Sequence, residues 1–476
     1  MPHKSAAKES FGNHLSIALP HLSPRLDLMI RCILALLFAG TWCHAAEPAP
    51  KPNAIVILLD DLGYGDLTCY GAKDMRTPRI DTLMSEGIRM NRFYANCTVC
   101  TPTRASLMTG RYPDLAGAPG VIRQWDHSSW GYLRPPGPTL PEMLKSAGYH
   151  TGMVGKWHLG YTAPNVPNEQ GFDHFHGFLG DMMDDYYTHR RGGVNWMRLN
   201  DETVDPEGHA TEVFTDWAID YLGERAKAPD TPFFLYLAYN APHFPIQPPK
   251  DWLEKVRKRE PDLDPKRAAN VAFVEHTDHE IGRVLDSLTE LNIKDQTLVI
   301  FSSDNGGSIP HAQSNGDLRG GKQDHWEGGI RVPTCAVWPG KIPAGKTTDA
   351  LGMTMDLVPT LCELAGAGKP ESDGQSLRSV WLDGGVGDPD RTMIWVRREG
   401  GDRYGGRAYY AIRRGKWKLL QNHPFEPMQM VDLEADPFEQ DPKPATGKVA
   451  KQLKEALMAH IRKAGAVPWK PMPDEP

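Results

Sequence analysis

Basic residues are not in excess in this chain of 476 residues: 53 Lys and Arg stand against 60 Asp and Glu, a formal net charge of −7. That balance argues against a nucleic-acid partner, although it leaves room for a local cationic site on an anionic substrate. Long hydrophobic runs are also scarce. The apolar stretch in MIRCILALLFAGTWCHAAE, which begins at Met29, is too short for a membrane span. With Arg31 before it and Ala45 and Ala46 at its end, it reads as an export signal over residues 29–46; an uncleaved anchor is the alternative. Trp42 immediately before Cys43 argues against a lipid-modified cysteine. Residues 1–28 are polar and read as a disordered extension or as a start assigned upstream of Met29. Cysteine is sparse as well. Cys32 and Cys43 fall in the signal, leaving Cys69, Cys97, Cys100, Cys335 and Cys362, an odd number in an oxidising compartment. Cys97 and Cys100 form a CxxC that could be a redox pair, but no second CxxC exists to complete a structural zinc site. Internal repeats and low-complexity tracts are absent.

Forty per cent of the residues are apolar, ample for a core, and the length implies one large domain and a smaller one. Apolar runs of buried-strand type occur at 53–59 (NAIVILL), 150–155 (HTGMVG), 232–239 (PFFLYLAY) and 297–303 (TLVIFSS), with helical patterns between them, notably over 269–291. This alternation predicts an α/β fold with a mostly parallel central sheet flanked by helices. From about residue 370 the texture changes. YYAIRRGKWKLLQN and MQMVDLEADP predict short antiparallel strands, followed by a helix over about 447–463. The expected division is a catalytic domain over 51–370 and a smaller α+β subdomain over 371–476, joined near 366–375 or 383–390.

Each of the four strands runs into polar chemistry: Asp60 and Asp61, Lys156 and His158, His243, and Asp304 with Asn305. One such ending is usually a turn or a cap. Four on one sheet edge mark the place where open α/β sheets bind ligands. Three carboxylates and an amide oxygen are hard ligands, suited to Ca²⁺ or Mg²⁺. The lysines and histidines suit a tetrahedral oxyanion, Lys322 arriving in the glycine-rich LRGGKQDHWEGGIRVP. In VCTPTRASLMTGR, Thr101 reads as a helix N-cap, Pro102 as the first helical residue and Gly110 as the stop. Cys100 then lies just outside a helix N-terminus, which favours anions and lowers thiol pKa values; a packed cysteine beside a turn is the other reading.

Taken together, these motifs resemble the type I, formylglycine-dependent sulfatases, arylsulfatase-like members of the alkaline-phosphatase-like superfamily. CTPTRASLMTGR resembles that family's first signature and GYHTGMVGKWHLG its second. NAIVILLDDLGYGD, APHFP, SSDNGG, GGKQDHWEGGIRVP, GKWKLL and MVDLEADPFE match further blocks in order, over about residues 51–440. Position 103 is Thr where the commonest form has Ser.

The resemblance implies a sulfuric ester hydrolase in which Cys100 is oxidised to formylglycine by a transient maturation enzyme. The hydrated aldehyde attacks sulfur, gives a covalent enzyme–sulfate and expels the alcohol; its second hydroxyl then releases sulfate. It further implies one Ca²⁺ per chain held by Asp60, Asp61, Asp304, Asn305 and an oxygen of the modified Cys100. Arg104 and Lys156 would orient the hydrate, and His158 would take the proton when sulfate leaves. His243 would protonate the leaving alcohol, and Lys322 would bind sulfate. Arg111, about two turns along, reads as structural. A phosphomonoester or phosphonate monoester hydrolase of the same superfamily is the alternative; those enzymes tend to carry histidine where this chain has Asn305. An inactive or redox protein would not account for Lys156, His158, His243 and Lys322 together. The segment 172–196 follows the second signature. Its Asp184, Asp185, His189, Arg190 and Trp196 are candidate contacts to a sulfated sugar, with an ordinary solvated loop as the other reading. The implied substrate is a sulfated glycan, with aryl sulfates as surrogates, met outside the cytoplasm and without stable membrane association.

Overall fold

In the computed structural model, which describes residues 51–399 and 407–470, the run Asn53–Leu59 forms strand β1. The expectations of an extension and an export signal fall on residues 1–50, outside the described residues. From Ala54 to Leu59, β1 is apolar because both its faces are covered. Ala54, Val56 and Leu58 enter one hydrophobic cluster, and Ile55, Ile57 and Leu59 another. Then come β2 (Ile88–Tyr94), β3 (His150–Lys156) and β4 (His174–Phe178), and a short ribbon of β5 (Arg190–Arg191) and β6 (Val194–Asn195). After them come β7 (Met197–Leu199), β8 (Glu202–Thr203), β9 (Phe233–Ala238), β10 (Thr297–Ser303), β11 (Cys335–Val337) and β12 (Lys346–Met353).

Apart from the ribbon, these strands form one ten-stranded sheet in the order β12-β2-β11-β10-β1-β9-β3-β4-β7-β8. β10, β1, β9, β3 and β4 are parallel neighbours, whereas β11 and β7 pair antiparallel with the strands beside them. The four apolar runs are thus four parallel strands at the centre of the sheet. β9 omits Pro232, which has no N–H for the ladder. The sequence pattern does not single out β2, β4, β11 or β12, because they are short or carry interspersed polar residues.

The long helix spans Pro265–Glu290, four residues earlier than its apolar pattern predicts. The cause is its cap: Asp264 accepts from the amides of Lys266 (2.9 Å) and Arg267 (3.1 Å), with Pro265 in the first turn. Beyond residue 390, β13 (Thr392–Glu399), β14 (Arg407–Arg414), β15 (Trp417–Gln421), β16 (Gln429–Asp432) and β17 (Lys443–Pro444) form a five-stranded antiparallel meander. The Gly447–Ala464 helix places Leu453 and Leu457, one turn apart, against Trp395, Ile412 and Leu419. Tyr94, Trp326 and Met353 share that cluster, so the small sheet is seated on the larger one. Arg111 ties the chain after the Cys100 helix to the 366–375 stretch, bonding Glu371 at 2.8 Å and Asp373 at 2.9 Å.

Candidate active site

Because β1, β3, β9 and β10 are parallel, their carboxyl ends share one edge of the sheet. Leu59 is in register with Ser303, which sets Asp60 and Asp61 beside Asp304 and Asn305; the Asp304 amide donates to Leu59 O at 3.0 Å. Three non-glycine residues here have left-handed backbones, Asp61 (φ 65°), His158 (φ 58°) and Gln323 (φ 84°). Such strain is sustained only where the surroundings over-determine it, and it gathers at functional sites. Close packing holds the loops. A Cβ on Gly306, next to Asn305, would lie 1.8 Å from Gly328 O in the loop that carries Lys322.

The helix on this edge runs from Cys100 to Thr109 and stops at Gly110 (φ 68°). It starts two residues earlier than expected, at Cys100 and not Pro102, and Val99, not Thr101, is the N-cap. The Thr101 hydroxyl is used elsewhere: it donates to His158 O (3.1 Å) and accepts from the Ile122 amide (3.2 Å). The expectation of a lowered thiol pKa is also corrected. Burial, with Asp60 adding to it, pushes the Cys100 thiol well above its usual range, outweighing Lys156 and Lys322. Cys97 faces away toward Val396 O at 3.7 Å, and both cysteines are free thiols.

Around Cys100 Sγ lie Asp60 Oδ1 at 3.3 Å and Lys322 Nζ at 3.7 Å. Lys322 Nζ also bonds Asp61 Oδ2 at 2.7 Å, and Lys156 Nζ bonds Asp60. Arg104 grips Asp304 Oδ2 through Nε (3.0 Å) and Nη2 (2.8 Å), and its Nη1 donates to Lys156 O at 3.0 Å. Burial pushes Asp60 up, but Lys156, His243, Arg104 and Lys322 prevail and hold it well below the carboxylate range. Asp304 goes the other way, to about 7, through burial and the neighbouring Asp60.

The donor set fits a divalent cation. Ligand atoms of Asp60, Asp61, Cys100 and His243 lie within 4.8 Å of one another. Asn305 Nδ2 donates to Asp61 Oδ1 (2.8 Å), which leaves Asn305 Oδ1 as a buried acceptor with no partner. A buried carbonyl oxygen without a donor is costly unless something positive meets it. Carboxylates and an amide oxygen match Ca²⁺ or Mg²⁺ better than zinc.

The two histidines are held in defined tautomers. His158 Nε2 is 2.9 Å from Ile122 O, to which it must donate, so buried Nδ1 keeps a free lone pair. Burial, then Lys156 and Arg104, hold this ring well below the usual histidine range. His243 Nδ1 donates to Phe244 O at 2.7 Å, and Nε2 stands 3.6 Å from Asp61 Oδ2. Burial, then Lys322, pulls this ring down to about 4.

The structure thus brings Asp60, Asp61, Cys100, Arg104, Lys156, His243, Asp304, Asn305 and Lys322 into one buried cluster, with His158 tied to its helix through Thr101. The segment after the second signature is more self-contained. Asp184 accepts from Arg191 (2.9 Å), Arg190 forks onto Asp205, and Asp185 accepts from Gln247 (2.8 Å) and two amides of its own loop. His189 is fully buried and bonded to Gly208 O, which removes it from solvent, while Trp196 packs on Tyr161. Tyr236, which the sequence reading passes over, accepts from Arg104 Nη1 at 3.3 Å. Period-2 alternation along β9 sets Tyr236 on the face of Phe234 and Ala238, the one available signal.

Comparison with known proteins agrees with this geometry. The family model described as Sulfatase matches residues 52–367, and that described as N-sulphoglucosamine sulphohydrolase, C-terminal, matches residues 321–463. The N-acetylgalactosamine-6-sulfatase of Canis lupus familiaris is 33% identical over 414 residues, which cover 82% of this chain and 74% of that protein. Arylsulfatase A of Homo sapiens is 34% identical over 421 residues, covering 82% and 77%. Among solved structures, Ps i-CgsB in complex with k-i-k-neocarrahexaose superposes with a TM-score of 0.76 at 30% identity, covering 90% of this chain and 95% of that one. No helix among the described residues is long and apolar enough to cross a membrane. The chain therefore belongs to the sulfatase family, the sulfuric ester hydrolases.

Proposed function

We propose that this chain is an exported, Ca²⁺-dependent sulfatase that removes sulfate from a sulfated carbohydrate, with Cys100 converted to formylglycine by a maturation enzyme. The observation that carries the reading is the placement of Cys100 Sγ between Asp60 and Lys322, at the N-terminal end of a buried helix. A buried thiol held protonated by its surroundings is a poor nucleophile, so this position calls for different chemistry from residue 100. A hydrated aldehyde there supplies a nucleophilic oxygen and a second hydroxyl through which sulfate can leave. Asp60, Asp61, Asp304, Asn305 and residue 100 would hold the Ca²⁺, whose charge favours ionised oxygen and polarises sulfate.

The remaining roles follow from this chain's own contacts. Arg104 and Lys156 neutralise Asp304 and Asp60 and fix the helix N-terminus that presents residue 100. Lys322 offers a cation to the sulfate oxygens. His158, with Nε2–H committed to Ile122, has only Nδ1 to receive a proton and serves as the base for sulfate release. His243, whose Nδ1–H is committed to Phe244 O, gives a proton to the leaving oxygen from Nε2 only as the charged ring, which a sulfate anion bound between it and Lys322 would favour. Asp184, Asp185, Arg190 and Trp196 stay as candidate sugar contacts. The division into 51–370 and 371–476 stands as a proposal about how the chain is organised. A glycan as the natural ester is supported by the sugar named for the first relative and the oligosaccharide in the structural neighbour.

The test is chemical. After expression with a formylglycine-generating system, the peptide containing residue 100 should carry an aldehyde that reacts with an aminooxy probe. Cys100→Ala should lose both label and aryl sulfate hydrolysis while keeping the fold. Full activity with an unmodified thiol would sink the reading.

A further inference from the structure

Away from the cluster around Cys100, cations gather at one cavity against the protein's overall negative charge. A cavity of about 670 Å³ lies between Arg76 and the start of the helix Pro78–Ser85, the helix Lys250–Arg259 and the long helix Pro265–Glu290. Its cations include Arg76, Lys255, Lys258 and Arg259, in a chain whose net charge is −7.

The two acidic residues lining it are not free to oppose an anion. Glu275 is buried and taken bidentately by Arg259, Nη1 at 2.9 Å and Nη2 at 2.6 Å, and also accepts the Arg76 amide. Asp278 is buried and accepts the amides of Arg79 and Ile80, and burial pushes its carboxyl up to about 7. Arg76 and Lys258 are exposed, and neither side chain has a hydrogen bond or ion pair among the described residues. Lys255, which also lines the cavity, lies over the Trp252 ring at 4.2 Å and pairs with Asp251 Oδ2 at 3.1 Å.

The usual reason for cations at a helix C-terminus is the helix dipole, and Arg257, Lys258 and Arg259 all sit in such a last turn. That accounts for part of Lys258 but not for Arg76, which comes from a different element and faces the same cavity. Unpaired like charges converging on one concavity repel each other unless an anion is met there.

We infer that this cavity is an auxiliary site for the sulfate groups of a sulfated polysaccharide, outside the cluster around Cys100. The choice of a sulfated glycan over other polyanions rests on the proposed function. An enzyme that acts on one sulfate of a polymer gains effective concentration by holding another.

The site is tested with dextran sulfate as the probe, uncharged dextran as the blank and a single-stranded oligonucleotide as a competing polyanion. Arg76→Ser with Lys258→Ser removes the two unpaired cations. Arg257→Ser, exposed on the same helix but not lining the cavity, removes one positive charge where the double variant removes two. In affinity electrophoresis the double variant should bind dextran sulfate about tenfold more weakly, as expected for losing two surface charge contacts. Arg257→Ser should bind like the unaltered protein, and nitrophenyl sulfate turnover should be the same in all three. Unchanged retention in the double variant, an equal loss in Arg257→Ser, or equally tight binding of the oligonucleotide would overturn the assignment. Failure of the sulfatase reading would show separately, as absent nitrophenyl sulfate turnover in the mature, unaltered protein.

Discussion

Asn305 donates its Nδ2 to Asp61 Oδ1 at 2.8 Å, and that bond orients its own Oδ1 as a buried acceptor with nothing to accept from. The amide is thereby fixed the right way round for a cation shared with the neighbouring carboxylates. Removal of metal with a chelator should abolish turnover, and Ca²⁺ should restore it. Asp304→Ala should lower kcat/KM by about a hundredfold or more, the scale of losing a charge-stabilising group in an active site. Elemental analysis is the check. Stoichiometric zinc without calcium would contradict the assignment, whereas Mg²⁺ would only change the ion.

The proton on His243 Nε2 should matter in proportion to how badly the leaving oxygen needs it. His243→Ala is expected to cost about 10²–10⁴-fold in kcat/KM on a sugar or alkyl sulfate and much less on nitrophenyl sulfate. Parallel kinetics on the two substrates decide this. Equal losses on both would remove the general-acid role.

Acid should destabilise the fold through histidines buried in the neutral form. Burial pulls His325 down to about 3 and His209 down to about 4. Unfolded, each has a pKa of about 6.5, so between these values the unfolded chain binds more protons than the folded one. The contribution is therefore fully present above about pH 6.5 and is lost as pH falls below it. Chemical denaturation should show stability dropping by about 1.4 kcal/mol per pH unit for each such group between pH 6 and pH 5. His325→Gln should remove one share of the slope. A stability that is flat over this range would refute the account.

Lys418 joins the small sheet to the loop behind the site. Fully buried, its Nζ donates to Glu327 Oε1 at 3.0 Å and forms an ion pair with Glu439 Oε1 at 2.8 Å. Lys418→Met leaves two buried carboxylates facing one another and should cost about 3–5 kcal/mol. Urea denaturation measures this directly. Lys418→Arg should recover part of the loss, and no loss in Lys418→Met would mean that the carboxylates protonate or find other cations.

The sequence alone determined the centre of the sheet and the chemistry of its edge. Asn53–Leu59 and Thr297–Ser303 could be read to the residue, because a strand buried on both faces reads as a near-continuous apolar run, here AIVILL and LVIF. The polar residues after those strands were legible as a site because parallel strands bring their ends together, a consequence of topology alone. The cap and the thiol beside it were not legible. Thr101 looks like a local cap, but its hydroxyl is claimed by His158 and Ile122, residues far away in sequence. Nor could a helix N-terminus, read locally, reveal that burial and Asp60 raise the Cys100 thiol. The tautomers of His158 and His243, the pairing of Lys156 with Asp60 and of Arg104 with Asp304, and the cavity at Arg76 and Lys258 were likewise decided only by the tertiary structure. Burial and long-range hydrogen bonds depend on which distant segments meet, and periodicity along a strand or helix carries no record of that.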